Sequence, residues 1–289
     1  MLHPWRLPGL PVQDRCLVMG VVNVTPDSFS DGGKWFCAAD AIAHGLELLA
    51  SGADIIDVGG ESTRPGAPRV SEEEELRRVG PVIAELVRSG ATVSIDTMRA
   101  AVAEMAVDAG AKLVNDVSGG LADPEMARLI ARVRVPYVVM HWRGQSADMD
   151  SRAVYDDVVA EVRAELASRV TALAEAGVEP GRLVLDPGLG FAKQPAHNWS
   201  LLTRLREVSA LDHPGAPFPV LVGASRKRFI GRLLASAVDG QPRSFDQSDD
   251  ATIALTALAA TAGAWCVRVH SVPGNADAVK IAARWQQET

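Results

Sequence analysis

Leu221-Val222-Gly223-Ala224-Ser225-Arg226-Lys227-Arg228-Phe229-Ile230-Gly231 carries an apolar run into a small-residue turn and then into a serine and a cluster of cations. The run, from Pro219 to Val222, reads as a short buried strand that stops at Gly223, and an apolar, helix-compatible segment follows the cations. A small-residue turn between a strand and a helix is where α/β proteins hold ligands, because free backbone N–H groups and positive side chains converge there. Taken alone, such a turn is as readily an ordinary basic surface loop. Recurrence of the pattern along the chain decides between the two.

It recurs seven more times. Cys16 to Val22 is a continuous apolar run, as expected of a strand buried on both faces, and it ends at Asn23. Asp54 to Val58, Ala91 to Ile95, Lys112 to Val114, Pro136 to Met140, Arg182 to Leu185 and Ala264 to Val269 read the same way. Each gives way to a polar loop and then to a helical segment: Ala38 to Ser51, for example, puts Ile42, Leu46 and Leu49 on one face. Ser71 and Glu74 form a capping box, and the acid run Glu72 to Glu75 then suits the positive end of the helix dipole. Pro124 opens a helix with Asp123 as its N-cap. Strands alternating with helices are parallel strands. Eight such units without a linker or a composition break predict an α/β protein, a single (β/α)8 TIM barrel, over residues 16–289. The Pro-rich residues 1–15 read as an extended lead-in. A doubly wound open sheet is the structural alternative; the absence of GxGxxG after the first strand argues against its dinucleotide-binding form.

Composition narrows the function. A chain of 289 residues with 47% hydrophobic residues holds a normal core, and its net charge of −7 with no long basic run argues against nucleic acid as a partner. Apolar stretches are broken by Gly, Pro or charge short of a bilayer span, so no membrane partner is expected. Cys16, Cys37 and Cys266 form no CxxC pair and read as free thiols of a cytoplasmic protein.

The polar residues collect where strands end. Asn23, Asp96, Asn115, Asp186, Ser225, Lys227, Arg268 and His270 all fall at strand C-terminal ends or just past them. One Asp or Asn there is usually a turn former, but turn chemistry does not explain so many. In a barrel these ends share one rim, which brings residues distant in sequence around one mouth. Asp96, Asn115, Asp186 and Lys227 suit a flat heterocycle with amide and amino edges. Arg268 and His270 alternate along a strand, share a face, and with Asn23 suit an anion such as a phosphate. No HExxH, no GxSxG and no GxxxxGK[ST] occurs, which removes the matching zinc, serine-hydrolase and P-loop readings.

These residues stand in longer stretches that resemble the dihydropteroate synthase family: Met19 to Gly33, Asp57 to Gly66, Ser94 to Thr97, Asn115 to Gly120, Met140-His141, Asp186 to Lys193, Ser225 to Lys227 and Arg268 to His270. Family members join 6-hydroxymethyl-7,8-dihydropterin diphosphate to 4-aminobenzoate and release diphosphate, a step in folate synthesis, and sulfonamides inhibit them. The resemblance implies that residues 16–289 form a pterin-binding barrel and that Asp96, Asn115, Asp186 and Lys227 hold the pterin, with Asp96, Asp186 and Lys227 also catalytic. It implies that Asn23 binds Mg²⁺ with the diphosphate, helped by Arg268 and His270. Thr63, Pro65, Phe191 and Ser225 would border the aminobenzoate, and the loops carrying Thr25, Asp27, Ser28 and Phe29, and Ser62 and Arg64, would close over the substrates. A homodimer is the implied assembly. Ser271 departs from the Asp that often follows the family's Arg-x-His. Two alternatives stay open at this level. A methyltransferase of the same fold, acting on a methylated folate and a corrinoid protein, would share the pterin contacts but not the Thr25 to Gly33 loop. An inactive pterin-binding paralogue with a partner-binding role would be marked by loss of a residue such as Lys227.

Overall fold

The computed structural model describes residues 5–25, 38–61, 69–144, 151–237, 240–244 and 246–288. Eight strands, β1 (Leu17–Asn23), β2 (Ile55–Gly59), β3 (Val93–Asp96), β4 (Leu113–Asp116), β5 (Tyr137–Met140), β6 (Leu183–Asp186), β7 (Leu221–Val222) and β8 (Cys266–Val269), pair in the order β6-β5-β4-β3-β2-β1-β8-β7. All pairings are parallel, and a bridge between Leu185 and Val220 brings β6 against the entry to β7, so the sheet closes on itself. The helices are α1 (Ala38–Ala50), α2 (Glu72–Arg88), α3 (Ala100–Asp108), α4 (Met126–Val133), α5 (Val158–Glu175), α6 (Pro195–Thr203), α7 (Leu205–Ser209), α8 (Arg228–Leu233), α9 (Asp249–Thr261) and α10 (Pro273–Gln287). This is the expected single (β/α)8 barrel. No helix among the described residues is long and apolar enough to cross a membrane.

Strand alternation separates two cores. Val18, Ile56, Val93, Val114, Val139, Leu185, Val222 and Val267 face out and pack under the helices. Leu17, Met19, Ile55, Leu113, Val138, Val184, Leu221 and Cys266 face in and fill the lower barrel. The lead-in belongs to this second core: Leu7 and Leu10 are buried with it, and Trp5 packs alongside. Apolar side chains plug the lower barrel, and polar chemistry is left to the opposite mouth.

Several boundaries differ from the sequence reading for one physical reason. β1, β2, β3 and β6 run through Asn23, Gly59, Asp96 and Asp186, one residue past their apolar runs, and β4 runs on to Asp116. Ladder pairing uses backbone groups, which do not stop where side chains turn polar.

One local reading is extended and one corrected. Ser71 does cap α2, its Oγ accepting from the Glu74 N–H at 3.2 Å, and Glu72 to Glu75 lie in the first turn as a dipole argument requires. Glu75 does more: it is buried, accepts from Thr97 Oγ1 at 2.7 Å and pairs with Arg99. Asp123 does not cap the helix after it in the expected way, because α4 starts only at Met126. Its Oδ2 accepts from the Ala100 N–H at the start of α3, at 2.8 Å, while Oδ1 accepts from Glu125 N–H at 2.9 Å. One carboxylate thus serves two helix entries.

Candidate active site

Register places the strand tips on one level. Asn23 pairs with Gly59, Gly59 with Asp96, and Asp96 with Asn115. Laterally paired residues point to the same face of a sheet, so these four look into the barrel mouth. Met140 and Asp186 are paired in the same way on β5 and β6.

The centre of the mouth is a charge cluster on four strands. Arg268 of β8 donates from Nε to Asp57 Oδ2 at 2.6 Å and from Nη2 to Asp96 Oδ2 at 2.7 Å. Asn115 donates from Nδ2 to the same Asp57 oxygen at 3.0 Å. Asp57 has no exposed surface, and its Oδ1 has no hydrogen-bond partner. An ionised carboxylate only accepts. Asp57 therefore claims the NH₂ of Asn115 and leaves the amide oxygen of Asn115 to face a ligand donor. Burial pushes Asp96 up to about 7; Arg268 works against that shift, and Asp57, Glu75 and Asp116 reinforce it. Burial alone would lower Arg268, but Asp57 and Asp96 hold its guanidinium above its ordinary value. One cation between two carboxylates leaves acceptor capacity for a ligand rich in N–H groups.

Asp186 supplies the second wall. Its Oδ1 accepts from the Gly188 N–H at 2.7 Å, and a Cβ built on Gly223 would stand 3.9 Å from Oδ2. Burial raises Asp186, and the Gly188 N–H, Lys227, Lys193 and Arg268 oppose the shift. Lys227, at the N-terminal boundary of α8, is lowered to about 8 by burial, with Asp186 pulling it back up. Its ammonium lies 4.0 Å from the centroid of the Phe191 ring, a cation–π contact. Two glycines make this wall possible. Gly188, at φ +67°, passes so near the His141 carbonyl that a Cβ would sit 2.4 Å from that oxygen. Gly190, at φ +75°, lets the Lys227 stem approach to 3.0 Å of where a Cβ would be.

Ser225 and His270 meet on the far side. The His270 ring nitrogen Nδ1 is 3.0 Å from Ser225 Oγ, and the His270 N–H donates to the same oxygen at 3.3 Å. Arg226, between Ser225 and Lys227, has φ +59° and pairs with Asp249, not with the mouth. Thr25 is buried just beyond β1. Asp27, Ser28, Phe29, Ser62, Thr63, Arg64 and Pro65 lie outside the described residues, as does Cys37; Cys16 and Cys266 are free and buried.

Of the expected residues, Asn23, Asp96, Asn115, Asp186, Lys227 and Arg268 meet at this mouth. Arg268, expected beside an anion, is bonded to Asp96 and shares Asp57 with Asn115, so its hydrogen bonds run to acids on the heterocycle-reading side. Sequence reasoning assigned no role to Asp57, Lys193 or His141. Asp57 lies mid-strand, where no loop signal marks it; its parity with Ile55 and Gly59, an acid on the inward face of an apolar strand, is the signal that finds it.

For an oxygen-seeking ion the described residues offer one amide oxygen donor at the end of β1, that of Asn23, which pairs with Gly59. Among the described residues, no cluster of three or more His, Cys, Asp or Glu side chains could hold a metal. Mg²⁺ commonly arrives on substrate phosphates with few protein ligands, and Asn23 offers an oxygen at the right level of the mouth.

Comparison with known proteins agrees with this geometry. The profile of the pterin binding enzyme family matches residues 19–270. The dihydropteroate synthase of Mycobacterium leprae is 55% identical over 276 residues, spanning 95% of this chain and 94% of its own. The chain belongs to the dihydropteroate synthase family. Among solved structures, the dihydropteroate synthase of Xanthomonas albilineans with 4-aminobenzoic acid superposes with a TM-score of 0.86 at 43% identity, covering 98% of both chains. The same organism's enzyme in complex with 7,8-dihydropteroate gives 0.81 at 42% identity, covering 95% of this chain and 94% of that one.

Proposed function

We propose that this chain condenses 6-hydroxymethyl-7,8-dihydropterin diphosphate with 4-aminobenzoate to give 7,8-dihydropteroate and diphosphate. The observation that carries the reading is the charge cluster at the strand C-terminal ends, where Arg268 binds Asp96 while Asp186 and Lys227 act on each other and both feel Arg268.

In this reading the pterin lies between Asp96, Asn115, Asp186 and Lys227. The carboxylates accept from its ring and amino N–H groups, and Asn115 accepts through the oxygen that Asp57 leaves free. The bond between the pterin methylene carbon and the diphosphate oxygen breaks, and positive charge spreads from that carbon into the ring. Asp96, already at the centre of the cluster, stabilises the charge electrostatically. The neutral aniline nitrogen attacks the methylene, the new C–N bond forms, and the nitrogen then loses a proton. No enzyme nucleophile is needed. Arg268 and His270, with Asn23, would receive the departing diphosphate. Mg²⁺ held there with Asn23 would absorb leaving-group charge. Phe191 and Ser225 would border the aminobenzoate ring.

The test is turnover of 4-aminobenzoate with the pterin diphosphate, with and without Mg²⁺. Production of dihydropteroate is expected, with loss of rate when the ion is chelated; no product under either condition would reject the reading. The homodimer implied by the resemblance belongs to the same proposal and is checked by sedimentation equilibrium.

A further inference from the structure

Lys193 is a buried ammonium that the reaction above does not use. It closes the loop between β6 and α6, and its side chain folds back beneath that loop. Nζ donates to the Phe191 carbonyl at 3.1 Å and lies 3.0 Å from Nδ1 of His141. A Cβ at Gly188 would stand 3.3 Å from the same nitrogen. Lys193 is 8% exposed and His141 only 2%. Lysine is almost never buried without partners that compensate its charge.

The partners form a chain that leads out to α5. His141 Nε2 is 2.9 Å from Glu165 Oε2, and Arg143 donates to Glu165 and to Glu161. Burial would raise Glu165, but the hydrogen bonds from His141 and Arg143 win and hold it at about 2. A carboxylate accepts only, so Nε2 carries the proton of a neutral ring and Nδ1 presents a lone pair to the Lys193 ammonium. Burial first, then the Lys193 charge, keep His141 down at about 4. Burial lowers Lys193 to about 7, with Asp186 and Glu165 drawing it up and Arg143 and Lys227 pressing it down. Tyr155 packs beside the imidazole and donates to the Ala192 carbonyl at 3.0 Å, a second tie to the same loop. Asn198 completes the brace, its Oδ1 accepting from Gly190 N–H at 2.7 Å.

We propose that Lys193 is a positioning residue for the aminobenzoate end of the site: the Glu165–His141–Lys193 chain anchors the Phe191 carbonyl and so fixes the Phe191 ring against Lys227. Anchoring the carbonyl restricts the backbone that carries the ring, and Lys227 then stacks on a ring that does not turn. The substrate assignment rests on the proposed function; the anchor rests on the geometry alone.

The experiment uses the full chain with Lys193→Met, which keeps length and removes every donor, and Lys193→Gln, which can still donate to one of the two acceptors. Three measurements are made on each. The KM for 4-aminobenzoate is expected to rise about tenfold in Lys193→Met and less in Lys193→Gln, the scale of one lost charge-assisted hydrogen bond. The calorimetric affinity for the pterin diphosphate is expected to move less than about threefold. Nitrogen-15 spectra should show His141 as the neutral Nε2–H tautomer in the parent protein. In Lys193→Met, Nδ1 should shift and the ring should take up its proton at higher pH. Equal loss of affinity for both substrates, or an unchanged aminobenzoate KM, overturns the positioning role. An unaltered His141 spectrum overturns the anchor itself. If Lys193→Met does not fold, Lys193→Gln decides on the same three readouts. A parent protein that turns over no aminobenzoate would instead reject the reaction, and the His141 spectrum would then judge the anchor by itself.

Discussion

Arg268 donates to Asp96 at 2.7 Å across a sequence separation of 172 residues, and at the same time to Asp57 at 2.6 Å. The guanidinium is the only group that joins β2, β3 and β8 through side chains at the mouth among the hydrogen bonds of the described residues, and its loss has two consequences. Arg268→Met strands two buried carboxylates, and breaking a buried pair by removing one partner costs about 3–5 kcal/mol. Urea denaturation should show a loss of that size. With Arg268→Ala, affinity for the pterin diphosphate should fall further than affinity for the same pterin lacking diphosphate; equal losses would remove Arg268 from the anion side.

Asp57→Asn tests the orientation of Asn115. An amide at position 57 can keep its oxygen where Oδ2 accepts from both Arg268 and Asn115, but its NH₂ then fills the buried Oδ1 position, which has no partner, and the ion pair with Arg268 is lost. Binding of the pterin diphosphate should weaken about tenfold, in line with about 1–3 kcal/mol for a buried group left unmatched. Asp57→Ala, which removes the acceptor outright and frees the Asn115 amide to turn, should weaken calorimetric binding further. Binding by Asp57→Ala as tight as by the parent would mean that Asp57 does not orient the amide.

Lys227→Ala and Asp186→Ala should each abolish most of the pterin diphosphate affinity, since each leaves the other buried with a main partner gone. Normal binding of either variant in calorimetry would contradict the pterin assignment.

His141 makes a pH prediction. Its ring is held at about 4 in the folded chain, below the ordinary 6.5, first by burial. The folded state therefore binds fewer protons than the unfolded state between those values. Stability from this residue is complete above about pH 6.5 and is lost as pH falls through about 4, by about 3 kcal/mol in all. His141→Gln, which takes no proton, should show a shallower fall of the urea midpoint over that window. Parallel slopes for parent and variant would show that His141 titrates normally.

The alternation of apolar runs with helical segments made the barrel legible, because a parallel strand buried on both faces must be apolar throughout. The rim was legible for the same reason: where Asn23, Asp96, Asn115 and Asp186 interrupt such runs, the interruption is visible one residue at a time. The tertiary partners of Glu75 and Asp123 went unseen because a helix-dipole or N-cap reading explains an acid equally well whether or not a distant partner waits for it. Thr97, Arg99 and the N–H of Ala100 are those partners.

Local order along the chain thus settled the fold, the end of the barrel that carries chemistry and the residue types gathered there, since all three follow from periodicity and from where polarity breaks it. Folding in three dimensions decided who bonds to whom. Asp57 turns the Asn115 amide, Arg268 joins Asp57 to Asp96, and Lys193 turns back under its own loop to His141. Hydrogen bonds act over about 3 Å, and no pattern within one strand or helix reports which side chain from another will arrive within that distance.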